Sequence, residues 1–228
     1  MATKYLTISM VHGIIRVLKT IEVGGVNMKP SEQFRAKARK PGLYNIMPLS
    51  NIGSVLKYGI LSNELAARLH HQSIAMQEVQ TKRDLVQVPN GRMLHQYANL
   101  YFDARNPMMY VRKNEDICVL NVHPSVLDLE NVVVSDCNAA SNYARFYEAS
   151  KAFDYLDYDL IYATVWRDED YYEYCRKKST KCAEVLVPEF IAPSFITAAA
   201  VKTSEDQERM RDAGFPHKIY IVPDLFFM

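Results

Sequence analysis

The run Lys181-Cys182-Ala183-Glu184-Val185-Leu186-Val187-Pro188 sets one carboxylate inside an apolar strand that closes on a proline. Aliphatic and β-branched residues suit a pleated, half-buried surface, and proline ends a strand because it cannot donate to the ladder. A glutamate there either points outward to solvent or lines a site, and pattern alone leaves both readings open. Upstream, Asp170–Lys178 reads as a Tyr- and Glu-rich helix ending in Arg176-Lys177-Lys178, cations that suit its C-terminal dipole. Ser179-Thr180 is expected to turn the chain into the strand. Downstream come the apolar stretch Phe190–Ala200, a polar helix Glu205–Ala213 and a closing strand that begins at Lys218.

Toward the N-terminus the same alternation continues. Ile117–Val122 is the clearest buried strand, Val132–Val134 is another, and Asn142–Phe153 is expected to be helical. Leu94–Phe102 is rich in strand formers, Val86–Val88 is a shorter β run, and Asn106-Pro107 predicts a turn. Leu43–Met47 reads as a strand, followed by a short helix capped by Ser50 and stopped by Gly59 at its C′ position. Many short strands with few helices predict an α+β fold with mixed or antiparallel sheets. Residues 1–42 read as an N-terminal extension and 43–228 as the main domain. Within the extension, Tyr5–Val23 has apolar positions at helical spacing interrupted by Arg16 and Lys19, and Lys29–Lys40 is polar and basic.

Composition narrows the classes. The chain has 228 residues, 49% hydrophobic and 23% charged, which argues against disorder. Lys and Arg number 27 against 26 Asp and Glu, so a polycation is excluded while a local basic groove is not. Fifteen tyrosines and nine phenylalanines against one tryptophan suit a surface that stacks flat ligands. Cys118, Cys137, Cys175 and Cys182 form no CxxC pair and no zinc-like spacing, so no metal is expected and reduced thiols in the cytoplasm are. No apolar run reaches the roughly 20 residues of a membrane span. P-loop, dinucleotide-fingerprint, zincin and nucleophile-elbow motifs are absent from the sequence.

The remaining polar candidates are Asn45, Asn51, Arg83, His95, Arg105 and Glu184. Each alone has an ordinary structural explanation: a solvated charge, a hydrogen-bonded histidine, an arginine holding turn carbonyls. Their order is more telling. Leu43-Tyr44-Asn45-Ile46-Met47-Pro48-Leu49-Ser50-Asn51-Ile52, then Gly59-Ile60-Leu61, Arg83, Gly91-Arg92-Met93-Leu94-His95-Gln96-Tyr97, Tyr101-Phe102-Asp103-Ala104-Arg105-Asn106-Pro107-Met108-Met109-Tyr110 and the Glu184 strand together resemble the DarT family of DNA ADP-ribosyltransferase toxins. The resemblance covers roughly residues 43–225.

That resemblance implies an ADP-ribosyltransferase fold, two small sheets around a cleft that holds NAD⁺, and transfer of ADP-ribose to a nucleobase in single-stranded DNA. It implies Glu184 and Arg83 as catalytic residues, and Asn45, Met47, Asn51, Gly59, Leu61 and Tyr101 as lining the NAD⁺ site. Arg105, Arg176, Lys178 and Thr180 are expected near the DNA. The chain departs from family members that begin Y-H-I-T by carrying Asn45 and Met47 in place of His and Thr. Asparagine exchanges hydrogen bonds but does not titrate, so acid–base chemistry at position 45 is excluded. The Ala104–Met109 wording is closer to a guanine-modifying branch than to a thymine-modifying one. A neutralising antitoxin, such as an ADP-ribosyl hydrolase, is implied as partner. The alternatives are a transferase of this fold acting on RNA or protein, and a catalytically decayed nucleotide-binding module.

Overall fold

The computed structural model describes residues 28–69, 83–89 and 91–228. The expected Tyr5–Val23 helix and residues 70–82 therefore lie outside the described residues.

Among the described residues ten strands form: β1 (Leu43–Pro48), β2 (Ile60–Leu61), β3 (Tyr97–Tyr101), β4 (Ile117–Val122), β5 (Val133–Ser135), β6 (Phe146–Glu148), β7 (Glu184–Pro188), β8 (Phe190–Ile191), β9 (Ile196–Val201) and β10 (Lys218–Ile221). Eight make one sheet in the order β10-β9-β4-β1-β3-β7-β5-β6, while β2 and β8 pair as a separate ribbon. Within the large sheet β9 and β10 run parallel and the other described pairs are antiparallel, so the sheet is mixed. The α+β expectation holds, but the strands divide eight and two rather than into two small sheets.

Side chains alternate between the faces of this sheet. Leu43, Leu100, Leu120, Val185 and Val187 belong to one large buried cluster. Burying each such side chain is worth about 1.5–3 kcal/mol. A single row of paired residues crosses the opposite face: Asn121, Tyr44, Tyr101, Glu184 and Ser135 stand side by side on β4, β1, β3, β7 and β5. This row therefore sits on the face away from that large cluster.

The helices are α1 (Pro30–Lys37), α2 (Ile52–Tyr58), α3 (Asn63–Ala66), α4 (Pro107–Arg112), α5 (Ala149–Ala152), α6 (Tyr158–Ile161), α7 (Tyr171–Thr180) and α8 (Ser204–Asp212). Helix α1 falls inside the expected extension yet packs on the body. Phe34 is fully buried against Phe102 and Phe153, and Ser31 bonds Asp128 through both its N–H and its hydroxyl.

Several local readings are corrected. Val86–Val88 forms no strand, only a single bridge between Gln87 and Met93. Asn142–Phe153 is not one helix: Phe146–Glu148 pairs with β5, whose open edge captures the chain, and only Ala149–Ala152 is helical. Ser50 does not cap α2; it lies in a 3₁₀ turn, and Asn51 holds the cap position. Ser179-Thr180 does not turn the chain but completes α7, and β7 begins only at Glu184. The backbone explains the late start: the N–H groups of Lys181, Cys182 and Ala183 donate to the carbonyls of Lys177, Ser179 and Thr180 and so are not on the ladder. The Lys181 ammonium is buried and bonds Asp103 and the Ile161 carbonyl, 2.8 Å away.

Candidate active site

A cavity of about 620 Å³ reaches the row of paired residues at Tyr101. That lies within the ~300–1,000 Å³ usual for small-molecule sites. Its walls come from β1, α2, β2, β3, α4 and α7, with Asn138, Ala140 and Ser141 from the loop between β5 and β6.

Arg83 and Glu184 meet at this wall. The Arg83 Nη1 lies 3.2 Å from each Glu184 oxygen, and both side chains are buried, Glu184 to 1% exposure. Glu184 Oε1 also accepts from the Ala139 N–H at 2.9 Å. A buried ion pair is tolerated only when its hydrogen bonds compensate desolvation, so charges kept here at such cost mark a candidate functional site. Arg83 lines the cavity, whereas Glu184 is not among the lining residues and sits behind Arg83, to which it is paired. Tyr101, opposite Glu184 in register, has its phenol held far in the protonated form, chiefly by burial and then by the Glu184 charge. Burial, again reinforced by Glu184, pushes the Cys182 thiol up to about 12, so this sulfur is not a nucleophile at neutral pH.

The cavity gathers most of the residues expected of it. Asn45, Met47, Asn51, Gly59, Leu61 and Tyr101 all line it. Asn45 is fixed by a 3.0 Å bond from its Nδ2 to the Asn99 carbonyl. Gly59 ends α2 with φ +83°, and a Cβ there would lie 2.2 Å from the Ile191 carbonyl oxygen. Only glycine lets α2 and β8 approach this closely.

The four residues expected near DNA separate. Lys178 lines the cavity, whereas Arg105, Arg176 and Thr180 do not appear among its lining residues. The Arg105 Nε donates to the Asp224 carbonyl at 3.1 Å, and its guanidinium sits 4.0 Å over the Phe227 ring. Arg176 is forked onto Glu173, with Nη2 to Oε2 at 2.8 Å. Thr180 is half-buried, and its carbonyl accepts from Ala183. His95 lies outside the lining and bonds Asp84 through Nδ1 at 2.7 Å.

Sequence reasoning passed over Arg112, Asn138, Ser141 and Cys175, all on the wall. One signal was present: Asn106-Pro107 is a helix cap followed by proline at the first helical position, as much as a turn. The Asn106 side chain does accept from the Met109 N–H at 3.0 Å. Read as a helix, that segment places Met108, Val111 and Arg112 together at three- and four-residue spacing.

No group of residues suited to a metal ion occurs among the described residues. A cleft beside a mixed sheet, with a buried carboxylate–guanidinium pair at its wall, fits the ADP-ribosyltransferase fold. Residues 44–227 match the family model described as DarT, ssDNA thymidine ADP-ribosyltransferase. The chain belongs to the DarT family. It is 31% identical over 199 residues to a DNA ADP-ribosyl transferase–DNA ADP-ribosyl glycohydrolase fusion protein of Thermosipho africanus, covering 81% of this chain and 48% of that protein. The chain thus spans about half the length of this curated relative. Among solved structures, it resembles Thermus sp. 2.9 DarT in complex with ADP-ribosylated ssDNA, with TM-score 0.72, 23% identity, and 83% and 98% of the two chains covered. It also resembles the same Thermus protein in complex with NAD⁺, with TM-score 0.67, 21% identity and coverage of 82% and 98%.

Proposed function

We propose that this chain transfers ADP-ribose from NAD⁺ to a nucleobase of single-stranded DNA and releases nicotinamide. The Arg83–Glu184 pair at the wall of the cavity carries this reading. The Thermus relative solved with NAD⁺ and with ADP-ribosylated ssDNA supports the choice of donor and acceptor.

Breaking the bond between the ribose C1′ and the nicotinamide nitrogen gives the sugar oxocarbenium character, as in glycoside cleavage. Nicotinamide leaves with the bonding pair. Glu184 holds the ribose 2′-OH and stabilises the growing positive charge from a water-poor wall. A nitrogen of the acceptor base then bonds C1′ and gives up its proton, with Glu184 as the acceptor. Arg83 fixes the carboxylate, and its planar fork binds the pyrophosphate or the incoming base. Asn45, Met47, Asn51, Gly59, Leu61 and Tyr101 form the NAD⁺ wall. Lys178 contacts the DNA, with Tyr171, one helical turn before the cavity-lining Cys175 and 71% exposed, as a stacking platform.

The acceptor base in this reading is guanine, on the wording of Ala104–Met109; the matched family model is named for thymidine. A free DNA-modifying enzyme endangers its host, so the proposal includes a toxin role and a neutralising hydrolase. The Thermosipho relative, named as a fusion of transferase and glycohydrolase, supports that pairing. The cytoplasm is the proposed location: the four cysteines are free, and no helix among the described residues is long and apolar enough to cross a membrane.

Mass spectrometry of oligonucleotides incubated with NAD⁺ tests the proposal. One ADP-ribosyl unit should appear on single-stranded DNA, on guanine in base-resolved fragments. Label on RNA or protein alone, or none at all, overturns the DNA assignment, and label on thymine overturns only the base.

A further inference from the structure

The charged residues among the described cavity lining are Arg83, Lys178 and Arg112, and none of the described lining is acidic. Arg83 is answered by Glu184. Arg112 differs, because its Nη1 is tied to Glu115 while its Nε is buried without a hydrogen-bond partner. A guanidinium cannot shed its proton, and a buried charged donor left unmatched is more costly than a neutral one. Glu115 anchors one end of the planar fork and so fixes the orientation of the other.

We propose that Arg112 is an anion-binding residue whose guanidinium, only partly matched by Glu115, takes a phosphate oxygen of a ligand lying between α4 and α7. The scaffold is suited to this. The Asn106 side chain caps α4, and Met108 and Arg112 on that helix line the same cavity as Cys182, two residues before Glu184. Lys178 brings a second positive charge from α7, and two cations on separate elements suit a diester or pyrophosphate better than a single one. The ligand's identity rests on the transferase reading, and either of its two phosphate sources fits: the pyrophosphate of NAD⁺ or the backbone of the acceptor strand.

The test compares the full wild-type chain with Arg112→Gln and Arg112→Lys. The probes are inorganic pyrophosphate, NAD⁺, nicotinamide riboside, which has no phosphate, and a single-stranded oligonucleotide. Arg112→Gln should weaken pyrophosphate binding roughly tenfold or more while leaving nicotinamide riboside unchanged. Arg112→Lys, keeping the charge without the fork, should fall between the two. A parallel loss on NAD⁺ assigns the subsite to the dinucleotide. A loss on the oligonucleotide, with a log–log salt slope shallower by about one, assigns it to the acceptor strand. Binding of all three phosphate-bearing probes within twofold of wild type, at an unchanged melting temperature, overturns the proposal. If the Gln variant melts early, the Lys variant decides by the same criterion. Arg112-dependent pyrophosphate binding in a wild-type chain that modifies no acceptor would sink the transferase reading and leave the anion site standing.

Discussion

Glu184 and Ala139 are joined by a 2.9 Å hydrogen bond, so the carboxylate that faces Arg83 also clasps the loop carrying Asn138, Ala140 and Ser141. Charge and loop position are therefore coupled through one side chain.

Removing that side chain should do two kinds of damage. Glu184→Ala leaves Arg83 buried without its partner and frees the loop, so it should destabilise the fold by about 3–5 kcal/mol as well as abolish transfer. Glu184→Gln keeps an acceptor for Ala139 and should melt closer to wild type while losing activity by orders of magnitude. Thermal melts beside oligonucleotide modification check this; an active Gln variant would remove Glu184 from the chemistry.

Asp103 and Lys181 offer a control away from the reaction. Lys181 is 1% exposed, and burial holds its pKa below the usual lysine value, with Asp103 opposing that shift. Asp103→Asn should cost about 3–5 kcal/mol by stranding the ammonium, whereas pairing it with Lys181→Met should recover much of the loss. Denaturant midpoints of the two variants decide. Equal losses would mean that the pair is not coupled.

His95 should set part of the acid sensitivity. Burial pushes its pKa below the ordinary value; Asp84 works against this and Arg83 with it. The native state thus takes up the proton less readily than the unfolded chain, whose histidine titrates near about 6.5. Stability from this group is complete above that pH and is lost as pH falls through the lowered native value. The melting temperature should drop between pH 7.5 and 5.5, and drop less in His95→Gln. An identical drop in both would assign the sensitivity elsewhere.

Cys175 should be the thiol that reagents find. It is exposed and faces the cavity from α7, while Cys118, Cys137 and Cys182 are buried. A maleimide should give one adduct on the native chain and suppress oligonucleotide modification, and Cys175→Ser should be active and resistant. Full activity at stoichiometric labelling would place α7 off the acceptor's route.

The strand Ile117–Val122 was legible from its own apolar run, whereas Glu184 stood out by breaking one and was read as a site residue only through the order of motifs around it. What escaped was decided by tertiary partners. Phe146–Glu148 carries no stronger strand signal than its neighbours and is a strand because β5 offers it an edge. The Ala139 N–H, a backbone donor, has no residue type to betray it. Arg105 and Arg176 looked like cations awaiting DNA, yet each already has protein acceptors that only the folded chain reveals. Six of the residues expected at the NAD⁺ wall do share one cavity, because they lie on strands and turns whose positions local pattern had already specified.

Arg105 sits in the most distinctive stretch of the chain and is fastened to its last turn by the Asp224 carbonyl and the Phe227 ring. Mutagenesis guided by motif strength would begin there and mistake a loosened C-terminus for a lost contact with the acceptor strand. In this chain the loudest signature is joinery, and the quieter positions around it are where experiments on recognition should start.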